Sequence, residues 1–106
     1  MAKYMIAANY TMEGLQGVRS KGAKARADVI SGMVEKAGGT LDSFHFAFGD
    51  VDAYVVVDLP DDEAAAAASF AVGASGATQL KTVKLLTLDE ADAAIARSVD
   101  YRPPGR

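Results

Sequence analysis

Histidine occurs once in the chain, at His45. An imidazole titrates near ~6.5 and can take or give a proton at neutral pH. His45 is therefore the candidate general base, and it has the donor chemistry of a haem ligand. Its nearest polar companions by strand spacing are Ser43, Tyr54 and Asp58. His45 and Tyr54 make the candidate catalytic pair, and Tyr4, Tyr10 and Tyr54 supply hydroxyls that could line a pocket. The same residues also fit a plainer role. A single histidine on an apolar strand packs and bonds to a neighbouring backbone group, and a buried tyrosine is commonly a core residue with its hydroxyl satisfied.

A second group is basic. Arg19, Lys21, Lys24 and Arg26 place four positive charges within eight residues, at or near the start of a helix. Cations are mildly disfavoured there, so the cluster could be an anion site that combines side chains with free backbone amides, with Gly22 allowing close approach. A solvated helix face accounts for the same pattern. Gly14, Gly17 and Gly22 lack the spacing and the Gly-Lys-Ser/Thr ending of a phosphate-binding P-loop. A third group is acidic. Asp50 and Asp52 straddle a turn and Asp58 follows, but the calcium-loop pattern is absent and aspartate in turns stabilises its own backbone. Asp52 is the member expected to bond to a neighbouring loop. The ligand-binding candidates are thus Tyr4, His45, Tyr54, Arg19, Arg26 and Asp52.

Composition narrows the chemistry. With no cysteine, the 106 residues cannot form a disulfide framework, a thiolate metal site or a thiol nucleophile. One histidine excludes a multi-histidine metal centre within one chain, and no metal or cofactor is expected. Eleven basic against fourteen acidic residues give a net charge of -3, the wrong sign for a nucleic-acid footprint. No apolar run approaches the ~20 residues needed to span a bilayer, and the first ten residues read as a strand rather than a secretion signal. A cytoplasmic protein with neither nucleic-acid nor membrane partners is expected.

The length supports one domain, here residues 1–100 with an extended tail over 101–106. Lys3 to Tyr10 reads as a strand, with Tyr4, Ile6, Ala8 and Tyr10 on one face. Thr11 to Gly17 reads as a turn or loose helical turn. From about Ser20 to Ala37 the period changes to that of a helix, with Arg26, Val29, Ile30, Met33, Val34 and Ala37 forming one stripe. Gly38 and Gly39 end it. Leu41 to Phe48 and Ala53 to Leu59 read as a hairpin in which Phe48 pairs with Ala53 and His45 with Val56. Asp61 caps an alanine-rich helix over 64–74. A fourth strand spans 77–86, with Lys81 and Lys84 as edge charges, and a short helix opens at Leu88.

The order is strand, helix, strand, strand, helix, strand. The economical architecture is α+β: a ferredoxin-like βαββαβ sandwich, four antiparallel strands with two helices on one face. Two helices cover one side of such a sheet, yet both faces of the first three strands are largely apolar. Apolar surface of a few hundred Å² left in water usually marks an interface, and a second copy laid face to face would cover it. The partner expected is the chain itself, as a homodimer or higher homo-oligomer whose sheets enclose a shared core or a cavity, with a small-molecule ligand as the second partner.

Particular residues carry a family likeness: Lys3-Tyr4 opening the first strand, Gly17, Arg26, Gly38-Gly39, Phe46-Ala47-Phe48-Gly49 with Asp52, Leu59-Pro60-Asp61, Ser75-Gly76, Thr82, Leu85-Leu86-Thr87 with Glu90, and the tail from Tyr101 to Gly105. Over nearly its whole length the chain resembles the GYD-domain family, small bacterial proteins of unassigned function. In Gly49-Asp50-Val51-Asp52 the glycine and aspartate match the family name, and valine stands where tyrosine is usual. The family is similar to the dimeric α/β-barrel group, which holds cofactor-independent monooxygenases, isomerases, haem-degrading enzymes and plain binding proteins. The resemblance implies the fold and dimerisation and leaves the chemistry open. The leading expectation is a homo-oligomeric small-molecule-binding or interaction module. The enzymatic alternative is a cofactor-independent oxygenase or isomerase acting on a small apolar or aromatic compound, with His45 as base and Tyr4 or Tyr54 orienting the substrate. A purely structural assembly protein is the third.

Overall fold

Thr11 starts the first departure from the sequence reading. In the computed structural model, which describes residues 1–106, strand β1 (Ala2–Tyr10) passes directly into helix α1 (Met12–Lys21). The Thr11 hydroxyl accepts a hydrogen bond from the Gly14 amide at 3.2 Å, a side-chain N-cap. Of the turn or loose helical turn expected over 11–17, the helical form is present, extended into a regular helix that runs to Lys21. Gly14 inside this helix is there for contact. A Cβ on it would lie 2.1 Å from the carbonyl oxygen of Ala77. Helix α2 (Ala23–Lys36) follows after Gly22, whose φ of +96° is open to glycine and strained for other residues. The helix expected from about Ser20 to Ala37 is thus α2, starting three residues later, and Ser20 and Lys21 belong to the end of α1 across a left-handed glycine.

Along α2, Ile30 and Val34 are buried, while Val29 is 62% exposed. The expected stripe is narrower than its periodicity suggested, because Val29 faces a cleft beside α1 rather than the sheet. Strands β2 (Thr40–Phe46) and β3 (Ala53–Leu59) form the hairpin, then come α3 (Asp62–Ala74), β4 (Thr78–Leu85) and α4 (Leu88–Ile95). The sheet is antiparallel throughout, in the order β2-β3-β1-β4. This is the ferredoxin-like arrangement, with the first helix broken in two and a fourth helix added at the end.

The hairpin register differs from expectation by two residues. Phe46 pairs with Ala53, Phe44 with Val55 and His45 with Tyr54. An even shift keeps each side chain on its expected face, but Phe48 leaves the strand and is fully exposed. Asp52 explains the longer connection. Its carboxylate accepts from the Tyr10 amide at 2.9 Å, its own amide donates to Asn9 Oδ1 at 2.9 Å, and its carbonyl accepts from the Ala47 amide at 2.8 Å. The loop is pinned to the end of β1 rather than folded as a tight turn.

One face of the sheet carries the core. Tyr4, Val55, Val57 and Leu59 pack with Ile30 and Val34 of α2 and Ala65 of α3. Asp61 caps α3 by accepting from the Ala64 amide at 2.8 Å. Tyr4 is 3% exposed, and its hydroxyl donates to Asp62 Oδ1 at 2.5 Å, while Lys84 lies 3.1 Å from the same carboxylate. These bonds tie β1, α3 and β4 together. The bond to Asp62, then burial, pushes the Tyr4 phenol up to about 12. The same bond, followed by Lys84, lowers the Asp62 carboxyl.

The signs of these shifts give two pH windows. A phenol held neutral by the fold stabilises fully below its unfolded pKa of ~10, and that contribution is lost as pH climbs through about 12. The depressed Asp62 stabilises above the ordinary carboxylate range, and that contribution is lost as acid protonates it. In urea denaturation, the wild-type midpoint falls more steeply than that of Tyr4→Phe as pH rises from the ordinary tyrosine range toward 12. Parallel curves for the two proteins would contradict the account.

Helix α4 stands apart from this body. Thr87 and Glu90 form a reciprocal capping box at its start, yet none of its residues is buried. Leu88 is 84% exposed and Ile95 80%, and Val99 and Tyr101 beyond it are also exposed. The radius of gyration is 16.8 Å, against ~13 Å for a compact domain of this length. No helix is long and apolar enough to cross a membrane.

Candidate functional site

The sheet face opposite the helices carries His45. It lies directly across from Tyr54, in a row that continues to Ala7 and Lys81. The adjoining row is Ser43, Val56, Met5 and Val83. Beyond it, Lys3 bonds to Asp42 and lies 3.1 Å from the Asp58 carboxylate. These bonds to Asp42 and Asp58 raise the Lys3 pKa, and the bond from Lys3 lowers that of Asp42. The face is therefore an apolar band bordered by an ion cluster and a polar row, narrower than the continuous apolar surface expected. Tyr4 belongs to the opposite, helix-covered face, so the structure brings His45 to Tyr54 and keeps it from Tyr4.

A concave site lies elsewhere, where α1, α2 and the start of β4 meet. It encloses about 360 Å³, with Tyr10, Lys21, Arg26, Val29 and Thr78 among its walls. The split of α1 from α2 at Gly22 opens it. Gly17 and Gly22 face it with no heavy atom within 4 Å of where a Cβ would sit, so nothing fills the space. Gly22 caps α2 without a side-chain hydrogen bond, leaving first-turn amides without an intrahelical partner. A smaller cavity of about 30 Å³ adjoins it, sharing Tyr10, Arg26 and Thr78 and otherwise lined by apolar side chains such as Ile6, Phe44, Val72 and Leu80.

Arg26 is the half-buried charge in this cleft. Its Nε donates to the Tyr10 hydroxyl at 3.3 Å, and its guanidinium carbon lies 5.6 Å from the centroid of the Tyr10 ring. Tyr10 stacks on Phe46 at 6.3 Å, and Phe46 packs on Phe44 at 5.2 Å. The aromatic row thus fixes the tyrosine that orients the arginine.

Of the basic cluster, Lys21 and Arg26 reach the cleft, while Arg19 and Lys24 are exposed outside it. Asp52 holds a loop and reaches neither the cleft nor the His45 row. Tyr4 is spent on Asp62. Sequence reasoning missed Thr78, a single threonine at a strand start. It picked out Gly22 as allowing close approach and missed Gly14 and Gly17 as cleft walls, although they recur three residues apart.

Comparison with known families matches the GYD domain over residues 4–95. No curated protein and no solved structure matches the chain.

Proposed function

The chain belongs to the GYD domain family, and on that footing we propose that it is a homo-oligomeric small-molecule-binding or interaction module of the cytoplasm. The observation that supports self-association is α4. A helix of eight residues does not hold itself together in water, and this one exposes Leu88 and Ile95 on one side, continued by Val99. A second copy supplies an apolar surface for that stripe, and laid sheet to sheet it also covers Met5, Val56 and Val83. Such a pair would resemble the dimeric α/β-barrel arrangement. A second reading, a cofactor-independent oxygenase or isomerase with His45 as base, is favoured by one observation: His45 and Tyr54 are direct cross-strand neighbours on the face that a partner would enclose.

Sedimentation equilibrium tests the proposal. At tens of micromolar the full chain runs at twice its mass of 11.0 kDa, and a chain ending at Leu86 associates more weakly. A folded monomer throughout that range would overturn it.

A further inference from the structure

We propose that the cleft between α1, α2 and β4 binds a small organic carboxylate bearing a short apolar or aromatic group, with Arg26 receiving the carboxylate and the adjoining cavity taking the apolar part. The proposal deepens the small-molecule half of the functional reading and does not depend on self-association.

Two independent observations carry it. Arg26 is a half-buried cation with no salt bridge; the ion pairs of the chain are Lys3 with Asp42 and Asp58, and Lys84 with Asp62. Guanidinium has five N–H donors in a planar fork, and the hydrogen bond of this one runs from Nε to Tyr10. The terminal nitrogens are left for an acceptor, and a carboxylate matches their geometry with two parallel bonds. The rim charges, Lys21 and Glu13, are both exposed and offset one another, so Arg26 supplies the net positive charge of the site.

The second observation is Thr78. The residue is 3% exposed, lines both cavities, and its hydroxyl oxygen is buried with no hydrogen-bond partner. Buried polar groups are nearly always satisfied, and an exception calls for an explanation. A ligand oxygen entering where the two cavities join supplies the missing partner. The shape selects the rest of the molecule. The outer space of about 360 Å³ lies at the lower end of small-molecule sites. The inner recess of about 30 Å³ is walled by Ile6, Phe44, Val55, Val72 and Leu80, so it accepts a methyl-sized or ring-edge apolar group. A bare inorganic anion would leave it empty.

Calorimetric titration of the full chain with benzoate, benzamide and inorganic phosphate tests the proposal, with self-association of the same samples followed separately by sedimentation. Benzoate binds, and it binds at least tenfold more tightly than either benzamide or phosphate. Arg26→Met weakens benzoate about tenfold or more. Gly17→Leu, which adds a good helix former where no atom is in the way, keeps the fold and abolishes binding. Thr78→Val weakens binding several-fold without loss of thermal stability. Absence of benzoate binding at millimolar concentration, equal affinity for benzamide or phosphate, or unchanged affinity in Arg26→Met and Gly17→Leu would each overturn the proposal. In every one of those cases a persisting dimer would leave the self-association reading standing.

Discussion

Val56→Glu leaves the chain folded and converts it to a monomer. Val56 sits on the uncovered sheet face, with Met5 and Ser43 as its cross-strand neighbours. It is half-buried by its own sheet and covered by no helix. A glutamate there keeps its charge in water while the chain is alone, at a cost of ~1 kcal/mol in strand preference. Between two copies the same charge loses its water and gains no partner, a penalty of ~2–5 kcal/mol for an unpaired charge in an interface. A two-fold axis repeats the change on both sides, so the dissociation constant should rise by ~30-fold for each copy of the charge, ~10³-fold for the pair. Sedimentation with circular dichroism on the same samples reads both effects. Val83→Glu, on edge strand β4 and 45% exposed, provides a second variant in which folding is at less risk. Equal association constants for wild type and both variants would remove the sheet face from the interface.

Gly39→Ala costs ~3 kcal/mol or more, the range of severe overpacking. The added Cβ would lie 2.0 Å from the carbonyl oxygen of Asp58 and 3.0 Å from Leu59 Cδ2. Neither neighbour can yield. Asp58 is paired with Thr40 on one side and Lys3 on the other, and Leu59 is among the most deeply buried side chains. The remaining choice is to move the connection between α2 and β2, whose Gly39 amide donates to the Val34 carbonyl at 3.0 Å. Gly38→Ala is the control. Its Cβ meets Pro60 Cγ at 3.2 Å, and its φ of +90° adds strain, for a cost of ~1 kcal/mol. Urea denaturation of the pair separates close packing from backbone preference. A loss below ~1 kcal/mol for Gly39→Ala would contradict the explanation.

The strands were legible because period-two alternation survives small errors. Tyr4, Ile6, Ala8 and Tyr10 share a face as read, and the hairpin slip of two residues moved His45 from Val56 to Tyr54 while keeping it on the same face as both. The slip itself was not legible, since it depends on Asp52 bonding to Asn9 and Tyr10, some forty residues away in sequence. Helix α1 was read only as a turn or loose helical turn, for a related reason. Glycine lowers helix propensity, and only the approach to Ala77 shows why Gly14 belongs inside a helix. Arg26 could be picked out as a cation in a basic cluster. That it would face Tyr10 and Thr78, while Arg19 would not, required the break at Gly22 and the pairing of Tyr10 with Thr78.

Helix α1 has no buried residue, whereas α2 is anchored through Ile30 and Val34. One end of α1 is moored where the Thr11 amide donates to the Ala77 carbonyl at 3.0 Å, and the other hangs on Gly22. The cleft thus has one wall that buries side chains against the sheet and one held through backbone approaches alone, at Thr11 and Gly14 against Ala77. Widening the outer space would therefore uncover no buried side chain of α1, whereas widening the inner recess would open the core around Ile30 and Val55.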